Sequence, residues 1–130
     1  MRVTPDEYLN IMERNAPKRH KYGVAERSDR TVDGIVFDSK KEARRYRELR
    51  MMERAHAISD LELQPVFELH APSQHQLHDA KICEYRADFR YLVKATGEQI
   101  VEDVKGMRTA VYRLKKKWVE AEYGITITET

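Results

Sequence analysis

The sequence predicts a single α/β domain built on a mixed sheet, and three observations carry that prediction. A capping box, Ser39-Lys40-Lys41-Glu42, opens a helix that runs to about residue 55. Residues 82–93 (ICEYRADFRYLV) alternate between apolar and polar positions, as a half-buried strand does. Residues 99–105 (QIVEDVK) read as their hairpin partner across a turn at 94–98. A second amphipathic helix, at about 109–123, leads to a short final strand at 125–128. With residues 61–69 as the first strand, the order from residue 39 is α-β-β-β-α-β, an α/β sandwich.

Taken in order, Thr4-Pro5-Asp6-Glu7 supplies a capping hydroxyl, a first-turn proline and acids near the positive helix end. A helix is expected there over residues 5–14, with Tyr8, Ile11 and Met12 as its apolar stripe, ending before Pro17. Residues 16–30 are polar and basic. The chain therefore divides into an N-terminal helix and basic arm (1–30) and a core (31–130). Asp33-Gly34 between β-branched residues predicts a short hairpin. Pro65 marks residues 61–69 as an edge or bulged strand, and 70–81 reads as a polar loop.

Along 82–93, Cys83, Tyr85, Ala87, Phe89, Tyr91 and Val93 are expected on one side, with Asp88 facing the other beside Arg86 and Arg90. On the return strand Asp103 and Lys105 share a face, and Glu102 shares the opposite one with Ile100 and Val104. Alternation thus selects Asp103, not Glu102, as the carboxylate that goes with Lys105. On the second helix Val111, Leu114, Trp118 and Ala121 are expected inward, and Gly124 is the stop.

Length and composition fit one soluble domain: 130 residues, 41% hydrophobic and 35% charged. No apolar stretch approaches membrane-spanning length and no signal-peptide pattern opens the chain, so a cytoplasmic location and no membrane partner are expected. The lone Cys83 rules out an intrachain disulfide and suits a reducing compartment. The net charge of +2 hides local clusters. Residues 105–117 hold six bases and no acid, residues 40–54 seven bases against three acids, and Lys18-Arg19-His20-Lys21 forms a third group. Such faces suit a nucleic-acid backbone; each alone could equally be solvated surface. Lys18, Arg19, Lys21, Lys40, Lys41, Arg108, Arg113 and Lys116 are the expected phosphate contacts.

The acids point to metal chemistry. Two strand aspartates, Asp88 and Asp103, with Lys105, would place hard oxygen ligands and an ammonium together, a donor set for Mg²⁺ or Mn²⁺ and not for zinc. Glu42 falls on the same helix face as Tyr46 and Leu49, so it is either the reciprocal half of the capping box or a carboxylate leaning over the sheet toward Asp88. Each acid also has a plain reading as half of a surface ion pair. Lys105 beside a metal would orient or help deprotonate a water nucleophile. His70, His75 and His78 share one loop, but no cysteine joins them to make a zinc site. Trp118 reads as core; Tyr22 and Tyr112, beside bases, either pack or stack on nucleic acid.

The element order with Glu42, Asp88 and Asp103-Val104-Lys105 resembles the PD-(D/E)XK nuclease superfamily, the restriction-endonuclease-like fold. Longer strings, among them Phe37-Asp38-Ser39-Lys40-Lys41-Glu42-Ala43, Leu61-Glu62-Leu63-Gln64-Pro65 and Val101-Glu102-Asp103-Val104-Lys105-Gly106, resemble a family of short phage and prophage proteins assigned to that superfamily. The resemblance implies Mg²⁺-dependent hydrolysis of DNA phosphodiesters. It implies Asp88 and Asp103 as principal metal ligands, Glu42 as a third, the Val104 carbonyl as a further one, and Lys105 as the residue that positions water; Gln64 would enter from the neighbouring strand. Ala87 stands where a proline often precedes the aspartate. By analogy with phage junction-resolving endonucleases, a homodimer cutting branched DNA in a bacterial host is expected. The alternatives are a catalytically idle nucleic-acid-binding module of the same fold, and an assembly or inhibitor protein in which the acids are structural.

Overall fold

The computed structural model describes residues 4–6 and 25–130. The expected helix at 5–14 and the basic cluster at 18–21 lie outside the described residues, apart from positions 5 and 6. A 3₁₀ turn at Arg27–Arg30 leads into a hairpin of β1 (Thr31–Val32) and β2 (Ile35–Val36). Asp33 and Gly34 at its tip have φ of 52° and 76°, the two positive values that a primed turn requires. Helix α1 (Lys40–Arg54) begins at Ser39, whose hydroxyl accepts the Glu42 amide at 3.1 Å.

Strands β3 (Ile58–Leu63), β4 (Val66–Ala71), β5 (Ala80–Arg86), β6 (Phe89–Val93) and β7 (Gln99–Asp103) follow, then helix α2 (Ala110–Tyr123) and β8 (Ile127–Glu129). The sheet order is β3-β6-β7-β8, antiparallel except for the parallel β7/β8 pair that α2 connects. The molecule is thus a mixed α/β fold. α1 covers one face of this sheet, burying Ala43, Tyr46 and Leu49 against Phe37, Ile58, Phe89 and Tyr91. α2 covers the other, with Val119 buried among Phe67, Leu69, Tyr85, Ala87, Val101 and Ile127.

Two of the expected strands are creased. Residues 61–69 break at Gln64-Pro65, and residues 82–93 break opposite, at Ala87-Asp88. The ladder keeps step across the break: Leu63 pairs with Phe89 and Val66 with Arg86, three residues on along one strand and three back along the other. Pro65 has no amide to give the ladder, and Gln64 adopts φ 51°, so the chain turns sharply there. The crease corrects the expectation of a single apolar side. Tyr85 and Ala87 pack with α2, whereas Phe89 and Tyr91, of the same parity, pack with α1. The strand rolls over between them, at Asp88. The loop of 70–81 is also shorter than expected, because His70, Ala71, Ala80 and Lys81 belong to the β4/β5 ladder.

The inward face of α2 differs from the expected one as well. Val111 and Leu114 are exposed (62% and 59%) and Ala121 is exposed, whereas Trp118 packs against the core as expected, with its indole N–H donated to the His70 carbonyl at 3.0 Å. Tyr112 and Val119 turn inward beside it. The physical reason is polar: Lys116 reaches Glu129 on β8 at 2.7 Å and Lys115 donates to the Glu84 carbonyl at 2.9 Å, which fixes the rotation of the helix. Hydrophobic periodicity weighs only apolar residues and misses such anchors.

This rotation is testable by denaturant unfolding. Val119→Ala, which opens a cavity at a fully buried position, is expected to cost about 2 kcal/mol. Leu114→Ala is expected to change stability by less than about 0.5 kcal/mol. Equal losses would put the helix back in the orientation that its apolar stripe suggests.

Candidate active site

Asp88 occupies the changeover point of the crease and is held there from three directions. Its amide donates to the Glu102 carbonyl (3.1 Å), its carbonyl accepts the Gln64 amide (2.9 Å), and its carboxylate Oδ2 accepts the Val104 amide (2.7 Å). The backbone that makes the bend therefore also aims the side chain at the end of β7. There Asp103, fully buried, lies close enough to make ionisation of Asp88 harder. From α1, the buried Glu42 approaches the same two carboxyl groups.

The capping-box reading of Glu42 accounts for only half of what is seen. Ser39 caps the Glu42 amide, but the Glu42 carboxylate is buried where Asp38 and Asp88 influence its protonation. Asp38 was not expected at the site; its only sequence signal is its place just before the cap. Gln64, exposed and in the left-handed conformation, joins Glu42 and Asp88 in lining a cleft of about 230 Å³ whose apolar rim includes Val36 and Leu63.

Asp103 has further neighbours that alternation concealed. Tyr85, expected on the opposite side from Asp88, donates its hydroxyl to Asp103 Oδ2 because the strand has rolled over between positions 85 and 88. The Lys105 ammonium lies 2.9 Å from Oδ1 as an ion pair, and 4.4 Å from the ring centroid of Tyr112, a cation–π contact. Oδ1 is nevertheless buried with no properly angled hydrogen-bond donor. The Tyr112 hydroxyl is likewise buried without a partner.

Glu102, one residue away and on the other face, is in a different state. Arg45 grips it through Nε (3.2 Å to each oxygen) and Nη2 (2.7 Å), a buried fork-to-carboxylate pair. Its charge is already matched. By contrast, among the described residues Asp103 pairs with Lys105, and Glu42 and Asp88 form no ion pair. Two of these acids are shifted upward. Burial, then the neighbouring Asp103 carboxyl, pushes Asp88 up to about 8, partly opposed by the Val104 amide. Burial, then the charge of Asp38, raises Glu42. Burial and the Asp103 carboxylate drive Tyr85 well above the ordinary phenol range and push Tyr112 up to about 12.

The donor set suits a hard cation: oxygens only, with an excess of negative charge and a buried carboxylate oxygen short of a donor. No three His, Cys, Asp or Glu side chains among the described residues already stand as a ready-made metal-holding group. His70 is taken up by Glu122 at 2.9 Å, and His75 and His78 are exposed in the 72–79 loop.

Of the expected phosphate contacts, Lys40 and Arg113 are exposed without an ion pair among the described residues, and Lys41 donates to the Lys105 carbonyl at 3.2 Å. Arg108 and Lys116 both pair with Glu129. Lys18, Arg19 and Lys21 lie outside the described residues. No helix among the described residues is long and apolar enough to cross a membrane.

The chain belongs to the family described as Protein of unknown function (DUF1064), whose model matches residues 19–128. No curated protein and no solved structure matches it.

The raised acidity constant of Asp88 has a definite consequence for stability. Its folded value exceeds the ordinary unfolded one, so between the two the folded state holds more protons. The contribution of this group is fully present below about pH 4 and is lost as pH rises through about 8. In EDTA the protein is expected to melt at a lower temperature at pH 8.5 than at pH 5.5, and Asp88→Asn should flatten that dependence. Circular-dichroism melts of the two proteins decide it; an unchanged slope in the variant would contradict the assignment.

Proposed function

We propose that the chain is a Mg²⁺- or Mn²⁺-dependent DNA endonuclease of the restriction-endonuclease-like fold, acting on branched or otherwise non-regular DNA in a phage or prophage setting. The observation that carries this reading is the convergence of Glu42, Asp88 and Asp103 at the crease, beside Lys105, with the neighbouring Glu102 already neutralised by Arg45. The mixed sheet, with its parallel β7/β8 pair across α2, supports the fold assignment.

Asp88, Asp103 and Glu42 would hold the cation, with the Val104 carbonyl as a further donor. When bound, a divalent cation supplies Lewis-acid activation of water and offsets charge on the phosphate. The protein's own groups do the rest. The Val104 amide fixes one oxygen of Asp88 and the Tyr85 hydroxyl one oxygen of Asp103; the other Asp103 oxygen is paired with Lys105, which would have to yield it to the cation. Lys105, held over the Tyr112 ring, presents an ammonium to a water or a phosphate oxygen. Gln64 and Glu42 line the adjoining cleft, where a nucleotide would enter. Two strands require two sites and each chain carries one, so a homodimer belongs to the proposal.

A second reading, a nucleic-acid-binding module without catalysis, draws on the Tyr85 and Lys105 contacts that already occupy both oxygens of Asp103. Cleavage of labelled duplex, flap, single-stranded and four-way-junction DNA with Mg²⁺, Mn²⁺ or EDTA separates the two. The nuclease reading expects metal-dependent cutting that Asp103→Asn reduces on the order of a hundredfold or more. Binding without cutting under either metal would favour the module.

A further inference from the structure

A second cleft, of about 260 Å³, opens on the other side of the Asp103-Val104-Lys105 segment and is lined by Lys41, Arg44, Arg45, Glu48, Val104 and Thr130. Its floor is the extension of the parallel ladder. The Thr130 amide donates to the Asp103 carbonyl at 3.1 Å, and the Lys105 amide to the Thr130 carbonyl at 3.2 Å. Its wall is α1, which contributes three cations within two turns.

Those cations are not equivalent. Arg45 is engaged by both Glu102 and Glu48, each at 2.7 Å, so it offers no free charge and the trio carries one net negative charge, which Lys41 and Arg44 together outweigh. Lys41 reaches the Lys105 carbonyl at 3.2 Å, a neutral acceptor, which keeps its charge uncompensated and moors it beside the acid cluster. Arg44 is exposed and forms no hydrogen bond or ion pair among the described residues. Arginine with no carboxylate partner, next to an unneutralised lysine in a cleft, is the arrangement that takes a tetrahedral oxyanion by paired N–H donors.

We propose that this cleft is a second phosphate subsite, holding through Arg44 and Lys41 a backbone phosphate of the same nucleic-acid strand whose reacting phosphate lies at the acid cluster. The inference rests on the nucleic-acid reading given above, but not on catalysis. A contact made to the backbone alone would add affinity and register along the strand and no sequence preference.

Its test is fluorescence anisotropy of a short labelled DNA duplex in EDTA, titrated at salt between about 50 and 200 mM. Arg44→Ala is expected to weaken binding about fivefold and to lower the slope of log K against log salt by about one, the signature of one lost phosphate contact. Arg44→Lys, which keeps the charge, should retain the slope. Lys94→Ala removes an exposed lysine in the β6/β7 turn and is the control for bulk charge. A wild-type affinity and slope for Arg44→Ala would overturn the subsite, as would an equal loss in Lys94→Ala. If the wild-type protein fails to bind the duplex, the nucleic-acid reading falls and takes the subsite with it. If binding shows the Arg44 dependence but no metal supports cutting, the subsite stands and the nuclease reading falls.

Discussion

The 2.7 Å hydrogen bond from the Val104 amide to the Asp88 carboxylate is the contact on which the rest of the arrangement depends. It joins the crease of the long hairpin to the end of β7, two places far apart in sequence. Main-chain bonds on either side of Asp88, to Glu102 and Gln64, make the aspartate part of the ladder. A side chain so held cannot swing into water when its neighbours carry charge. That fixity lets three carboxyl groups share a mostly buried space that simple repulsion would otherwise open.

The two faces of β7 divide the electrostatic work. Toward α1, Glu102 is closed off by the Arg45 fork, a satisfied buried pair that ties helix to sheet. Toward α2, Asp103 meets Tyr85 and Lys105 and retains an oxygen without a hydrogen-bond donor. One face is finished as structure. The other is left with uncompensated charge, and a fold keeps such a cluster only against a cost in stability.

How much of this was legible in the sequence follows from which signals are local. The capping box, the Asp33-Gly34 turn and the 94–98 hairpin involve neighbours in the chain, and each stands where its residues indicate. The choice of Asp103 over Glu102 rested on parity within one short strand, and the two residues do face opposite ways. Parity fails once a strand rolls over. Nothing in residues 82–93 marks the change of face at Asp88, because its cause is Pro65 on the partner strand. Alternation therefore sets Tyr85 on the face away from Asp88, although it holds Asp103. The rotation of α2 escapes periodicity for a related reason: its anchors, Lys115 and Lys116, answer to groups on β5 and β8. Asp38 and the Arg45–Glu102 pair likewise depend on distant segments meeting.

The most direct test of the central claim, that Glu42, Asp88 and Asp103 form a cation site, is isothermal titration of the metal-free protein with Mn²⁺ at about pH 8, near the Asp88 value. The account predicts saturable binding at a single site per chain, lost in Asp88→Asn and retained in Glu102→Gln, with protons released as the metal enters. No saturable binding to the wild-type protein, or binding that survives Asp88→Asn and disappears in Glu102→Gln, would contradict it.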